Sequence, residues 1–235
     1  AWVCDYYSEH GARLLGEEVI DTDGRESLVC CDPLGPLLAI MPWNFPFWQV
    51  FRFAAPALVA GNVGILKHAS NVPRCALAIE GVLRESGCPE GVFSTLLISG
   101  RRAGELIGDR RLRGVSLTGS EGAGQEVGGR AGRAIKKSVL ELGGSDPFIV
   151  LRDADIARAA QVAAQGRCLN SGQSCIAAKR FIVEDAVHDE FLEEFQRQLE
   201  GMSVGNPMEL ETEIGPLARE DLREEVHSQV TRTVG

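Results

Sequence analysis

The chain has 235 residues, 44% of them apolar, and a net charge of -9. That is enough for one large or two modest domains with buried cores, and too acidic for a nucleic-acid or anionic-membrane partner without a concentrated basic patch. No such patch is present, since Arg110 to Arg113 is short, follows Asp109 and reads as a solvated loop, and no run approaches the roughly 18 apolar residues of a membrane-spanning helix.

From the first residue onward, Ala1-Trp2-Val3-Cys4-Asp5-Tyr6-Tyr7 reads as the body of an amphipathic helix, and 14–31 is less regular. Short apolar runs then alternate with longer helical ones, the pattern of parallel strands joined by crossover helices. Strands are expected at 36–41, 63–67, 93–98, 114–117, 138–142 and 147–151. Helices are expected between them at 47–60, 72–86, 103–108 and 122–131. Ser70 or Asn71 can cap the second of these helices, Pro73 suits its first turn and Gly87 ends it.

After Gly143-Gly144, taken as the domain boundary between 1–143 and 144–235, the pattern restarts. A helix at 154–169 with Asp153 as its cap is followed by a strand at 177–184 and a helix at 188–202. In the last, Val187, Phe191, Phe195 and Leu199 recur every four residues along one face. A further helix-like run covers 221–230.

Seven cysteines stand singly apart from Cys30-Cys31, with no CxxC and no histidine at zinc spacing. A disulfide scaffold and a metal site are therefore not expected. Cys175 differs from the others because it lies at a small-residue turn, Asn170-Ser171-Gly172-Gln173-Ser174-Cys175, between a helical and a strand-like stretch. A thiol there reads either as a small buried residue or as a nucleophile.

Its context favours the nucleophile. In order, the chain carries Pro42-Trp43-Asn44-Phe45-Pro46, Lys67-His68-Ala69-Ser70, Leu117-Thr118-Gly119-Ser120, Leu140-Glu141-Leu142-Gly143-Gly144 and Gly172-Gln173-Ser174-Cys175. This series, over essentially the whole chain, resembles the aldehyde dehydrogenase superfamily and, within it, the bacterial succinate-semialdehyde dehydrogenases.

The resemblance implies an α/β fold, with a variant Rossmann-type parallel-sheet domain followed by a truncated α/β catalytic domain, and an oligomerisation arm near 14–31. It implies that Cys175 attacks an aldehyde carbon, that Asn44 and the Cys175 backbone N–H receive the oxyanion, and that Glu141 activates water to release a thioester. It further implies that Trp43, Lys67, Ser70, Gly119, Ser120 and Gly124 contact NADP or NAD. Ser70 replaces the glutamate common at its position, which removes a repulsion for a 2'-phosphate, so NADP is tolerated or preferred; His68 stands where proline is common.

Substrate contacts are expected from Trp48, Arg52 and Ser174. Asn44, Trp48 and Arg52 follow at four-residue steps, and an arginine within an apolar helix needs a carboxylate, either from a semialdehyde substrate or from the protein. The expected function is oxidation of succinate semialdehyde to the acid, in a cytoplasmic homo-oligomer with no nucleic-acid or membrane partner. A chain that opens without methionine inside a helix and stops soon after another is expected to be a fragment, about half the usual length of the family. Two other readings fit the same residues: a non-catalytic, nucleotide-binding remnant, and a thiol esterase built on Cys175, Glu141 and Asn44.

Overall fold

Runs of β-branched and aliphatic residues too short for helices become the strands of a parallel sheet, and the amphipathic segments between them return the chain to the same edge each time. The computed structural model describes residues 1–235 and divides into two units, Ala1–Leu142 and Gly143–Gly235.

The first unit begins with α1 (Trp2–Leu14) and a short antiparallel hairpin of β1 (Glu18–Val19) and β2 (Leu28–Val29). The sheet follows as β3 (Pro36–Met41), α2 (Pro46–Val59), β4 (Val63–His68), α3 (Pro73–Glu85), β5 (Phe93–Thr95), α4 (Gly100–Leu106), β6 (Gly114–Thr118), α5 (Glu121–Arg133) and β7 (Lys137–Glu141). Its strand order is β5-β4-β3-β6-β7, with every pair parallel. The chain thus winds outward from β3, then returns to place β6 on the other side of β3. That reversal makes the carboxyl ends of β3 and β6 a topological switch point, the usual ligand crevice of open α/β sheets.

Helices pack on both faces of the sheet, and its central strands are largely apolar, with Lys67 and His68 ending β4 and Ser116 and Thr118 in β6. Ala39, Met41, Val50, Ala54, Leu66, Ala76, Ile79 and Phe93 form one core with α2 and α3. Leu38, Ile107, Leu112, Val115, Leu117, Val127 and Ala131 form the other with α5. By contrast, edge strand β7 is exposed along its whole length.

The second unit contains β8 (Pro147–Val150), α6 (Ile156–Cys168), β9 (Arg180–Val183), a 3-10 turn at Asp185–Val187, α7 (His188–Glu200) and α8 (Glu220–Val234). β8 and β9 pair in parallel. Of the expected stripe on α7, Val187, Phe191 and Phe195 face the core, where Phe191 and Phe195 stack at 5.5 Å and Phe195 lies 4.8 Å from Phe181.

Several boundaries differ from the sequence expectation. Pro73 occupies the first helical position of α3, so Val72 is the residue before it, and neither Ser70 nor Asn71 caps the helix. α6 starts at Ile156, which moves the cap from Asp153 to Asp155, whose Oδ1 accepts from Arg158 N at 3.0 Å. α4 begins earlier than 103 because Ser99 Oγ accepts from Arg102 N. β5 and β9 are shorter than the apolar runs that contain them, and 14–31 includes the β1–β2 hairpin.

Candidate active site

The carboxyl edge of the first unit's sheet gathers most of the residues singled out by sequence. β3 ends at Met41, in register with His68 at the end of β4, and β6 ends at Thr118, in register with Glu141 at the end of β7. Asn44 follows β3 in the turn that leads to α2, and its Oδ1 accepts from Phe45 N at 3.1 Å. Trp43 beside it is half-buried.

His68 fixes that turn. Its ring is 5% exposed, with Nδ1 3.2 Å from Met41 O and Nε2 3.0 Å from Pro46 O, so it touches the residues on either side of Asn44. Ala69 N donates to Nδ1 at 3.0 Å, which makes Nε2–H the donor to Pro46 O.

Beside the Asn44 turn, a groove of about 510 Å³ runs between α2 and strands β3, β6 and β7, with Met41, Gln49, Arg52, Thr118, Val139 and Glu141 among its walls. Arg52 Nη2 donates to Thr118 Oγ1 at 3.2 Å, and Nη1 lies 3.8 Å from Glu141 Oε2. Arg52 therefore has a protein carboxylate within reach. Trp48 is exposed and does not line the groove. Gln49 takes the inward position instead: it is 3% exposed, and its Oε1 is buried without a hydrogen-bond partner. Neither Gln49 nor Thr118 stood out in the sequence, although a glutamine inside so apolar a helix is itself a signal.

The nucleotide-type residues are distributed over the same edge. Lys67 is half-buried near the end of β4, and burial holds its ammonium below the ordinary lysine value. Ser70 is exposed in the following turn. Ser120 is the N-cap of α5, its Oγ accepting from Ala123 N at 3.4 Å, and Gly119 N donates to Glu141 O at 2.9 Å. Gly124 is small for a packing reason, because a Cβ there would lie 2.6 Å from Leu142 Cδ2.

Cys175 and Ser174 belong to the second unit, Asn44 and Glu141 to the first. α6 ends at Cys168 and the chain passes through Asn170, Ser171 and Gly172 at φ of 54°, 55° and 75° before it reaches Ser174 and Cys175. Ser174 is buried and Cys175 half-buried. Lys179 Nζ donates to Cys175 O and to Ala177 O, each at 3.2 Å. Burial pushes the thiol of Cys168 up from its ordinary value, against the opposing pull of Arg167. No group of three or more His, Cys, Asp or Glu side chains is placed to hold a metal ion, and no helix is long and apolar enough to cross a membrane.

Comparison with known proteins gives a consistent answer. A family model described as the aldehyde dehydrogenase family matches residues 1–235. The chain is 54% identical over 234 residues to a probable succinate-semialdehyde dehydrogenase (NADP(+)) of Synechocystis sp., covering 100% of this chain and 52% of that protein. It is 52% identical over 228 residues to the succinate-semialdehyde dehydrogenase (NADP(+)) of Mycobacterium leprae, covering 96% of this chain and 50% of that one. Among solved structures, succinic semialdehyde dehydrogenase from Streptococcus pyogenes in complex with NADP+ superposes with a TM-score of 0.94 at 38% identity, covering 97% of this chain and 50% of that chain. The chain spans about half the length of the curated relatives it matches.

Proposed function

Because this chain belongs to the aldehyde dehydrogenase family, we propose that it supplies the nucleotide-binding region and the nucleophile of an enzyme that oxidises succinate semialdehyde to succinate with NADP+. The observation that carries the substrate is Arg52, a guanidinium on an apolar helix, opening on the same groove as Glu141. A semialdehyde presents an aldehyde at one end and a carboxylate at the other, and Arg52 offers the planar donor set a carboxylate takes. The cofactor in turn is supported by the names of the relatives and by the chain's own edge: an exposed Ser70 in place of a carboxylate, the cationic Lys67, and a strand-to-helix turn at Thr118 to Ser120.

In this reading Cys175, as thiolate, bonds to the aldehyde carbon, and the carbonyl oxygen becomes an alkoxide held by the Asn44 amide and the Cys175 backbone N–H. NADP+, when bound, supplies the acceptor for the hydride that leaves that carbon. The acyl group then stays on Cys175 as a thioester. Glu141 takes a proton from water, the hydroxyl oxygen bonds to the acyl carbon, and the Cys175 thiolate departs. Trp43, Gly119, Ser120 and Gly124 shape the nucleotide edge, while Trp48 and Ser174 border the substrate. The first unit is the nucleotide-binding domain and the second the catalytic domain; the β1–β2 hairpin, with Val19 and Val29 exposed, serves a homo-oligomer. Seven free thiols suit a reducing cytoplasm.

The test is NADPH formation with succinate semialdehyde in the native polypeptide that contains these residues. Cys175→Ala is expected to abolish it. Glu141→Gln is expected to stall at an acylated Cys175 detectable by mass. NADPH release at an unchanged rate from Cys175→Ala would sink the proposal, and ester cleavage without any NADPH formation would favour the esterase reading.

A further inference from the structure

Arg167 lies in the last turn of α6, where a basic residue needs no other explanation than the helix dipole. Its guanidinium does something more specific. Nη2 donates to Gly172 O at 2.6 Å and Nη1 to Ala178 O at 2.8 Å, so one planar group grips the backbone three residues before Cys175 and three residues after it.

The flank before the cysteine is one that needs holding. Asn170 and Ser171 adopt left-handed backbone geometry, which costs energy for residues with a Cβ and persists only where the surroundings over-determine it. Gly172, the third left-handed residue in the row, carries the carbonyl that Arg167 takes. The approach is close enough that a Cβ on Gly172 would lie 3.1 Å from Arg167 Nη2. Two further contacts anchor the same turn from the other side, Ser171 Oγ to Gly215 O at 3.0 Å and Ala218 N to Gln173 Oε1 at 2.9 Å. These secure the entry to the turn alone, whereas Arg167 spans the whole of it.

We propose that Arg167 is the positioning residue of the nucleophile turn: it sets the direction of the Cys175 thiol and of the Cys175 N–H together, so that attack and oxyanion stabilisation occur in one geometry. This rests on the reading of Cys175 as nucleophile. Lysine cannot replace it fully, because an ammonium is a point donor and a guanidinium is a fork that reaches two carbonyls at once.

Two reactions of the same thiol separate positioning from general loosening. Alkylation of Cys175 by iodoacetamide needs only access to the sulfur. Acylation by 4-nitrophenyl acetate, in which the thiolate bonds to the acyl carbon and 4-nitrophenolate leaves, needs the thiol and the oxyanion donor aligned. Both are followed at Cys175 by peptide mass in this chain. Arg167→Met is expected to lower the acylation rate by about tenfold to hundredfold, the scale of an ångström-sized misplacement, with alkylation changed by less than about threefold and Arg167→Lys in between. Gly172→Ala disturbs the same contact from the loop side and is expected to show the same split, so the test survives if Arg167→Met does not fold. Acylation at the wild-type rate in both variants, or equal losses in both reactions, overturns the proposal. If Cys175 is alkylated but acylated no faster than the other cysteines of the chain, the nucleophile reading fails and the positioning role fails with it.

Discussion

The Arg52 guanidinium stands 3.8 Å from the carboxylate of Glu141 while donating to Thr118 Oγ1 at 3.2 Å. The proposed substrate clamp and the proposed general base are therefore neighbours. With side-chain exposures of 38% and 55%, such a pair is worth about 0–1 kcal/mol, so a substrate carboxylate can displace Glu141 from Arg52 at little cost. Arg52→Ala is expected to raise the KM for succinate semialdehyde by about 10- to 100-fold, the equivalent of a charge-assisted hydrogen bond of about 1.5–3 kcal/mol. The KM for propionaldehyde, which has no carboxylate, should stay within about twofold. Parallel changes for both aldehydes would assign Arg52 to the protein's own ion pair.

Ser70 governs the choice of cofactor in the proposed reading. It is exposed in the turn after β4 and carries no charge. Ser70→Glu introduces one, and like charges brought together cost up to several kcal/mol. The expected outcome is at least a roughly tenfold weaker Kd for NADP+ with NAD+ binding retained or improved, measured by quenching of intrinsic fluorescence. Equal losses for the two nucleotides would mean that the substitution damages the turn rather than the recognition.

Lys67 gives the cofactor edge a pH dependence. Burial disfavours its charged form, so the proton leaves below the ordinary lysine value of 10.5. If Lys67 contacts the adenosine ribose as proposed, NADP+ affinity should weaken as pH rises through that lowered value, because the cation there is lost, and Lys67→Met should bind less tightly and lose that part of the dependence. Stability moves in the opposite sense: between the two values the unfolded chain binds more protons than the folded one, so the contribution of Lys67 to stability improves as pH rises. Titrations of Kd against pH for the two proteins decide the matter, and identical slopes would remove Lys67 from the cofactor edge.

How far the sequence reached follows from the range of the interactions involved. β3, with its six-residue apolar run from Pro36 to Met41, and the stripe of Val187, Phe191 and Phe195 were legible because local pattern and tertiary burial agree there. Helix starts were less so, since whether Asp153 or Asp155 caps α6 depends on where the preceding turn closes, with Ala154 N on Leu151 O. The Arg52–Thr118 bond joins residues 66 apart in the chain, and no periodicity reports such a pairing. The closeness of Gly124 to the side chain of Leu142, 18 residues on, was not legible from local pattern.

His68 offers the last test, because it joins fold to chemistry. Its ring touches Met41 O and Pro46 O, and Asn44 lies on the turn between them. His68→Ala leaves Pro46 O without its donor in a partly buried setting, a loss of about 1–3 kcal/mol, which should appear as a lower urea midpoint with an unchanged slope. The consequence for catalysis can be isolated with Asn44→Ala. If the imidazole acts by holding the Asn44 amide on the oxyanion, the two substitutions share one effect, and the double variant should be scarcely slower in NADPH formation than Asn44→Ala alone. Independent, multiplying losses would show instead that His68 acts on turnover by a route other than Asn44, and an undiminished rate in His68→Ala alone would show that it serves stability only.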